Sequence, residues 1–296
     1  MIGRLLHVVL FLVSFSFGYS QNFPTFTFEG VTIIPHDYVC PSCEGEKMGG
    51  LSGIEYHPAT QAYYLVADKP PARYFKIQLD TLPNPGITYT GIALLQPSRA
   101  EPESIRIRPG TSELYIANEH HTATSIISPS GKMAMRQKHR LMQKNAGLES
   151  LTFSSDGRRM WVAFERALKT EKCSGDTQVQ GLVRILEYDL KIAEVVQKEY
   201  AYPLHRWTNI GENENGVTEI LHWKNQQLLI LERTYSSEQN KNYIRLFGVD
   251  LAKVTNVMKM SLCALPEEAK VLVPQLLFDF EVPIKAGQLA RVDNAE

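Results

Sequence analysis

Residues 147–166 read Gly147-Leu148-Glu149-Ser150-Leu151-Thr152-Phe153-Ser154-Ser155-Asp156-Gly157-Arg158-Arg159-Met160-Trp161-Val162-Ala163-Phe164-Glu165-Arg166. This is a β-hairpin. Leu148, Leu151 and Phe153 stand in a short β-prone run, and residues 160–164 form a second one. Between them Ser155-Asp156-Gly157 is a turn, with the glycine free to take positive φ. Glu149 stands at the entrance and Glu165 at the exit. A hairpin enters and leaves at the same end, so the two acids face one neighbourhood.

The unit recurs. Gly50-Leu51-Ser52-Gly53-Ile54-Glu55 leads to Asp68, Glu101-Pro102-Glu103-Ser104-Ile105 leads to Glu119, and Gly216-Val217-Thr218-Glu219-Ile220 leads to Glu232. Sixteen residues separate Ser52 from Asp68, Glu103 from Glu119 and Glu149 from Glu165; fourteen separate Thr218 from Glu232. A cation follows three of the closing acids, as Lys69, Arg166 and Arg233, and His120 follows the other. A fifth opener, Asp293-Asn294-Ala295-Glu296, stands at the end of the sequence. Such a period is the signature of a repeat architecture.

Two more strand-like runs follow each hairpin: residues 73–79 and 86–95, 123–128 and 133–139, 182–190 and 193–202, 243–251 and 254–262. Each unit is therefore four antiparallel strands. Four-stranded units repeated around a circle make a β-propeller, which leaves only short, protected sheet edges. The fold expected is all-β, a propeller of five or six blades, the last truncated at the C-terminus. Residues 23–34 are a further strand that would then lack its partner. A helical turn is expected around residues 266–273.

Composition bounds the function. The formal net charge of −1 carries no basic excess for nucleic acid. Residues 1–20 have the pattern of a signal peptide: Arg4, an apolar run over residues 5–17, and the small-x-small site Gly18-Tyr19-Ser20. That run is short of the ~20 residues a membrane span needs. Domain organisation is thus a leader over residues 1–20 and one propeller domain over 21–296, exported to a bacterial periplasm or the exterior and monomeric. Cys40, Cys43, Cys173 and Cys263 suit an oxidising compartment and allow three disulfide pairings.

The motifs Gly-Leu-Ser-Gly-Ile-Glu-Tyr at residues 50–56, Pro-Glu-Ser-Ile at 102–105, Gly-Leu-Glu-Ser-Leu at 147–151, Leu-Leu-Ile-Leu-Glu-Arg at 228–233 and Asp-Asn-Ala-Glu at 293–296 resemble the bacterial "esterase-like activity of phytase", or phytase-like, family. The resemblance spans residues 49–296. It implies an exported β-propeller distantly similar to calcium-dependent propeller phytases, with a hairpin continuing from the terminal opener. The first opener carries Ser52 where the second and third carry Glu103 and Glu149.

The chemistry expected at the channel mouth follows from carboxylates and cations. Glu103, Glu149 and Glu296 are the metal ligands expected, and the hard oxygen set suits Ca²⁺. Asp68, Glu119, Glu165 and Glu232 would support them from behind. Lys69, Arg166 and Arg233 would bind substrate phosphate, with Glu149, Arg166 and Arg233 catalytic. The substrate class is a small phosphoester or related ester. A non-catalytic propeller capturing a peptide, glycan or small ligand is the other reading, and intrablade salt bridges are the other role for the Glu–Arg pairs. Ser52 lacks the Gly-x-Ser-x-Gly context of a nucleophile. His120-His121 at a closer, His205-Arg206-Trp207 as a substrate wall, and the acidic loop of residues 211–216 are lesser candidates.

Overall fold

The computed structural model describes residues 23–28, 32–34, 38–39, 45, 47–79, 86–119, 123–127, 133–138, 147–168, 171, 179–191, 195–208, 210–211, 213–281 and 290–291. The leader at residues 1–20, Cys40, Cys43, Cys173, His120, His121, Glu212 and the terminal opener with Glu296 lie outside them.

The chain is an all-β propeller. Four four-stranded antiparallel sheets follow one another in strict chain order. Sheet one holds β2 (Leu51–His57), β3 (Ala62–Ala67), β4 (Arg73–Leu79) and β5 (Ile87–Leu94). Sheet two holds β6 (Pro102–Ile107), β7 (Leu114–Asn118), β8 (Ala123–Ile127) and β9 (Met133–Lys138). Sheet three holds β10 (Leu148–Phe153), β11 (Arg159–Phe164), β12 (Val179–Asp189) and β13 (Val195–His205). Sheet four holds β14 (Asn213–Lys224), β15 (Gln227–Ser236), β16 (Lys241–Asp250) and β17 (Gln275–Asp279). The first strands β2, β6, β10 and β14 lie side by side around the channel.

The core lies between the sheets. Leu148, Leu151, Trp161, Ile185, Tyr200, Val217 and Ile220 form one buried cluster joining sheets three and four. Trp161 stacks on His222 of the next sheet, centroids 5.1 Å apart, and its Nε1 donates to Glu187 at 3.1 Å. Between inner strands, side chains satisfy backbone groups: Ile107 N donates to Glu55 at 3.0 Å, and His222 N donates to Thr152 Oγ1 at 3.0 Å.

Three expectations are corrected. The fourth strand of sheet four is Gln275–Asp279, not residues 254–262. The apolar run at 254–262 instead covers the outer edge of sheet three. Val257 N donates to Glu199 O and Leu272 N to Ala201 O, while Glu199 N donates to Asn256 Oδ1. An open edge strand needs such partners, and the run supplies them without joining the ladder. Arg184 anchors it from beneath, donating to the carbonyls of Val257 and Met260 and pairing with Glu171 and Glu199.

Second, the helical turn is a 3-10 turn at Leu262–Ala264, with only a reverse turn closed by Ala269 N to Pro266 O beyond it. Third, in place of a strand over residues 23–34 there is β1 (Thr32–Ile33), and it has a partner: it pairs in parallel with β18 (Ala290–Arg291). Phe23 packs flat on sheet four, where only a glycine at 248 leaves room: a Cβ there would sit 2.7 Å from the Phe23 ring. Cys263, on the 3-10 turn, is disulfide-bonded.

Candidate active site

One device is repeated in every sheet. At the opening end of each four-stranded sheet, the ladder between first and second strands skips one residue of the first strand: Ser52, Glu103, Glu149 and Thr218. An extra residue in one strand breaks the alternation and re-aims its side chain. All four skipped residues line one cavity of about 660 Å³. The bulge therefore explains why the third opener position faces the channel.

In sheets one to three the residue just past the second strand's paired stretch lines the same cavity. Asp68 N donates to Gly50 O, Glu119 N to Glu101 O, and Glu165 N to Gly147 O. In sheet four Val217 pairs with Glu232, so Arg233, opposite Gly216, takes this place. Glu232 is thus not the fourth closing acid. Counting by carboxylate identity was one residue out, and one residue reverses the face of a strand. Glu232 is 0% exposed and accepts bonds from Tyr202 Oη (2.5 Å), His205 N (3.4 Å) and Asn215 Nδ2. It is a structural anion behind the ring.

Two glycines let the acids lean inward. A Cβ at Gly147 would lie 2.6 Å from Cγ of Glu119, and one at Gly216 would lie 2.8 Å from Cγ of Glu165. Gly147 N donates to Glu119 Oε1 at 3.3 Å, and Val217 N to the carbonyl of Glu165 at 3.0 Å. Each closing acid of sheets two and three is thereby seated on the opener of the sheet that follows.

Six carboxylates line the cavity among the described residues: Asp68, Glu103, Glu119, Glu149, Glu165 and Glu219. Lys69 and Arg233 are the cations lining it. Glu119, Glu149 and Glu165 each offer an oxygen within 4.8 Å of the others. Crowding shows in their acidities. Burial and then the neighbouring carboxylates Glu103, Glu165 and Glu119 push Glu149 up to about 9, against the pull of Arg233. Glu103 rises to about 8 through burial and Asp68, although the Ser52 hydroxyl bonds to it. Burial also raises Asp68, Glu119 and Glu165.

A divalent hard cation fits this set. Ca²⁺ takes oxygens at about 2.3–2.6 Å, so two ligand atoms across it stand up to roughly 5 Å apart. Asp68 Oδ1 is buried with no hydrogen-bond partner among the described residues, another oxygen at the cavity.

The structure thus brings Glu103, Glu149, Lys69 and Arg233 together, and with them Asp68, Glu119 and Glu165. Arg166 is not brought in. Its Nη2 donates to Glu165 at 2.9 Å and its Nη1 pairs with Glu214 on the rim. Glu165 is then the acid held by a cation outside the cavity, and the salt-bridge alternative holds for that pair. Trp207 is buried under Arg245, 3.9 Å from ring centroid to guanidinium carbon, and is packing rather than a wall.

Sequence reasoning missed the buried cation that ties the first strands together. Arg106 is 5% exposed and spans the channel, donating to Ile54 O at 2.8 Å and pairing with Glu219 at 2.7 Å. Alternation in Ile105-Arg106-Ile107-Arg108 reads as a solvated face, and nothing local marks Arg106 as buried. Among the described residues no helix is long and apolar enough to cross a membrane.

Sheet order and cavity define the class: a β-propeller whose channel mouth is ringed by carboxylates. The chain belongs to the phytase-like family described as esterase-like activity of phytase, whose model matches residues 46–296. A search of curated proteins found no match. Solved structures similar to it include the endo-arabinase of Bacteroides thetaiotaomicron, at 14% identity and TM-score 0.44 over 76% of this chain and 79% of that one. Another is the Cps50 (Swd1) β-propeller domain of Myceliophteria thermophila, at 9% and 0.38 over 80% and 60%. Likeness this distant says nothing about activity.

Proposed function

We propose that this chain is an exported, monomeric, calcium-assisted hydrolase of phosphoesters or related esters, working at the channel mouth. Its leader pattern supports export to a bacterial periplasm or the exterior. The observation that carries the chemistry is the convergence of Glu119, Glu149 and Glu165 within 4.8 Å beside Arg233 and Lys69 in one cavity.

Glu119, Glu149 and Glu165 would hold the cation, with Asp68 and Glu103 next to them. Bound there, Ca²⁺ would supply charge neutralisation and polarisation of the substrate oxygen. The guanidinium of Arg233 would present a planar fork to phosphate oxygens, and Lys69 a point charge in the same cavity. Glu103, fixed by the Ser52 hydroxyl, is the carboxylate left to take a proton from the attacking water. Arg106 would hold the cavity residue Glu219 in place through their ion pair.

Calcium titration by calorimetry, paired with turnover of 4-nitrophenyl phosphate and 4-nitrophenyl acetate, tests the reading. Calcium should raise stability by about 2.7 kcal/mol at a hundredfold excess over its Kd. Glu149→Gln should remove both that gain and the turnover. Calcium binding with neither substrate turned over would leave a binding propeller instead.

A further inference from the structure

The residue that follows the skipped position is Gly53, Ser104, Ser150 and Glu219 in sheets one to four. Gly53 and Glu219 line the cavity. Ser104 and Ser150 are 0% exposed, and neither hydroxyl has a hydrogen-bond partner among the described residues. Side chains alternate along a strand, so Ser104 shares its face with Arg106, whose guanidinium reaches Glu219 of sheet four. The residues between them in phase, Ile105 and Leu151, go to the apolar core instead. An idle hydroxyl is not the rule on this face: Thr152, two residues past Ser150, accepts from His222 N. The burial of both serines is complete within the described sheets, because β6 packs between β2 and β10, and β10 between β6 and β14.

Buried polar groups bond to protein or to something ordered beside them, and a buried hydroxyl with neither is costly. Both of these hydroxyls stand directly behind a skipped glutamate, Glu103 or Glu149, in the two sheets that give the ring its paired acids. We infer that Ser104 and Ser150 are positioning residues of the cation site. Their hydroxyls hold one enclosed water, and a cation among Glu119, Glu149 and Glu165 takes that water as a ligand. The inference rests on the reading that the cavity holds a cation. The partners fit: a water on a cation turns its two protons away from it, and the two seryl oxygens accept them. Two hydroxyls and the cation make about three partners, the usual number for a buried water. The charge fits too. Ca²⁺ takes about six to eight oxygens, so three carboxylates leave positions open. A water backed by hydroxyls fills one of them without adding to the six acids already lining the cavity.

Calcium titration and thermal melting of the Ser104→Ala/Ser150→Ala double variant, set against the parent chain, test this without turnover. Losing a partner that orients a metal ligand costs about 10–100-fold in affinity, so the calcium Kd should weaken by about tenfold or more. The metal-free midpoint should hold, because each substitution deletes a hydroxyl that has no protein partner. Terbium in place of calcium gives a readout that a packing role would not move. Its luminescence lifetimes in H₂O and D₂O should count about one bound water fewer in the double variant, since an apolar space of that size stays dry. Ser150→Ala alone should move both quantities the same way, and serves if the double variant fails to fold. A calcium Kd within about twofold of the parent, or an unchanged water count, would overturn the role given to the serines. A lower metal-free midpoint with the Kd unchanged would overturn it as well, and make the hydroxyls structural. Failure of the parent chain itself to bind calcium would bring down the cation reading on which the inference rests.

Discussion

Sheets two and three differ from sheets one and four in chemistry but not in build. In all four, the opener's third residue is skipped in the ladder and turned inward, and the residue opposite the opener faces it. In sheets two and three those positions are Glu103 and Glu119, Glu149 and Glu165. In sheets one and four they are Ser52 and Asp68, Thr218 and Arg233. A constant backbone device thus carries variable side chains. The result is a cavity whose paired acids come from sheets two and three, while its cations, Lys69 and Arg233, come from sheets one and four alongside Asp68 and Glu219. Had all four sheets carried paired acids, Lys69 would be the one cation left among the described lining residues.

The anionic half should dominate the response to pH. In the metal-free protein Glu103 and Glu149 titrate near 8 and 9, above the 4.5 of an unstrained glutamate. Folding is favoured while they are protonated. Their contribution is whole below about pH 4.5 and is lost as pH rises through 8 and 9. Thermal midpoints without calcium should fall by about 5 °C or more from pH 5 to pH 9. Glu149→Gln should flatten that slope, and saturating calcium should abolish it. A midpoint that climbs with pH in the absence of metal would contradict the crowding on which the comparison stands.

The mixed half is tested by its cation. Arg233→Met should lower turnover of a phosphoester by about 10²–10³, the range seen when one donor to developing charge is removed. Arg166→Met should cost only a few-fold, because Arg166 lies outside the cavity and reaches it only through its pairing with Glu165. Equal losses at the two positions would erase the distinction drawn between ring and rim.

How far the sequence led can be judged on the same residues. The hairpin repeat is legible because alternation and turn residues are local, and the observed strands in sheets one to three fall close to where they were expected. Glu103, Glu149, Lys69 and Arg233 are legible because their spacing from the turns is nearly constant. The bulge is not legible: it is a register choice between strands, and no single strand encodes it. Residues 254–262 look like a strand and are one in hydrophobicity, but the sheet-four edge goes to residues 275–279 instead. Arg106 and Glu219 meet across the channel from sheets two and four, a contact that spacing along the chain does not express.

Glu232 supplies the finest test, because it separates register from composition. By composition it is a closing acid like Glu165; by register it lies one residue short of the ring and faces the other way. Three donors converge on it: Tyr202 Oη, Asn215 Nδ2 and His205 N. In Glu232→Gln one acceptor oxygen becomes an amide donor facing donors that stay buried. Leaving such a group unsatisfied costs about 1–3 kcal/mol, read as a lower thermal midpoint. Calcium affinity and phosphoester turnover should stay as they were, since the side chain does not reach the cavity. If instead the midpoint held while the calcium response vanished, Glu232 would belong to the ring, and the skipped-residue register would not be what orients its acids.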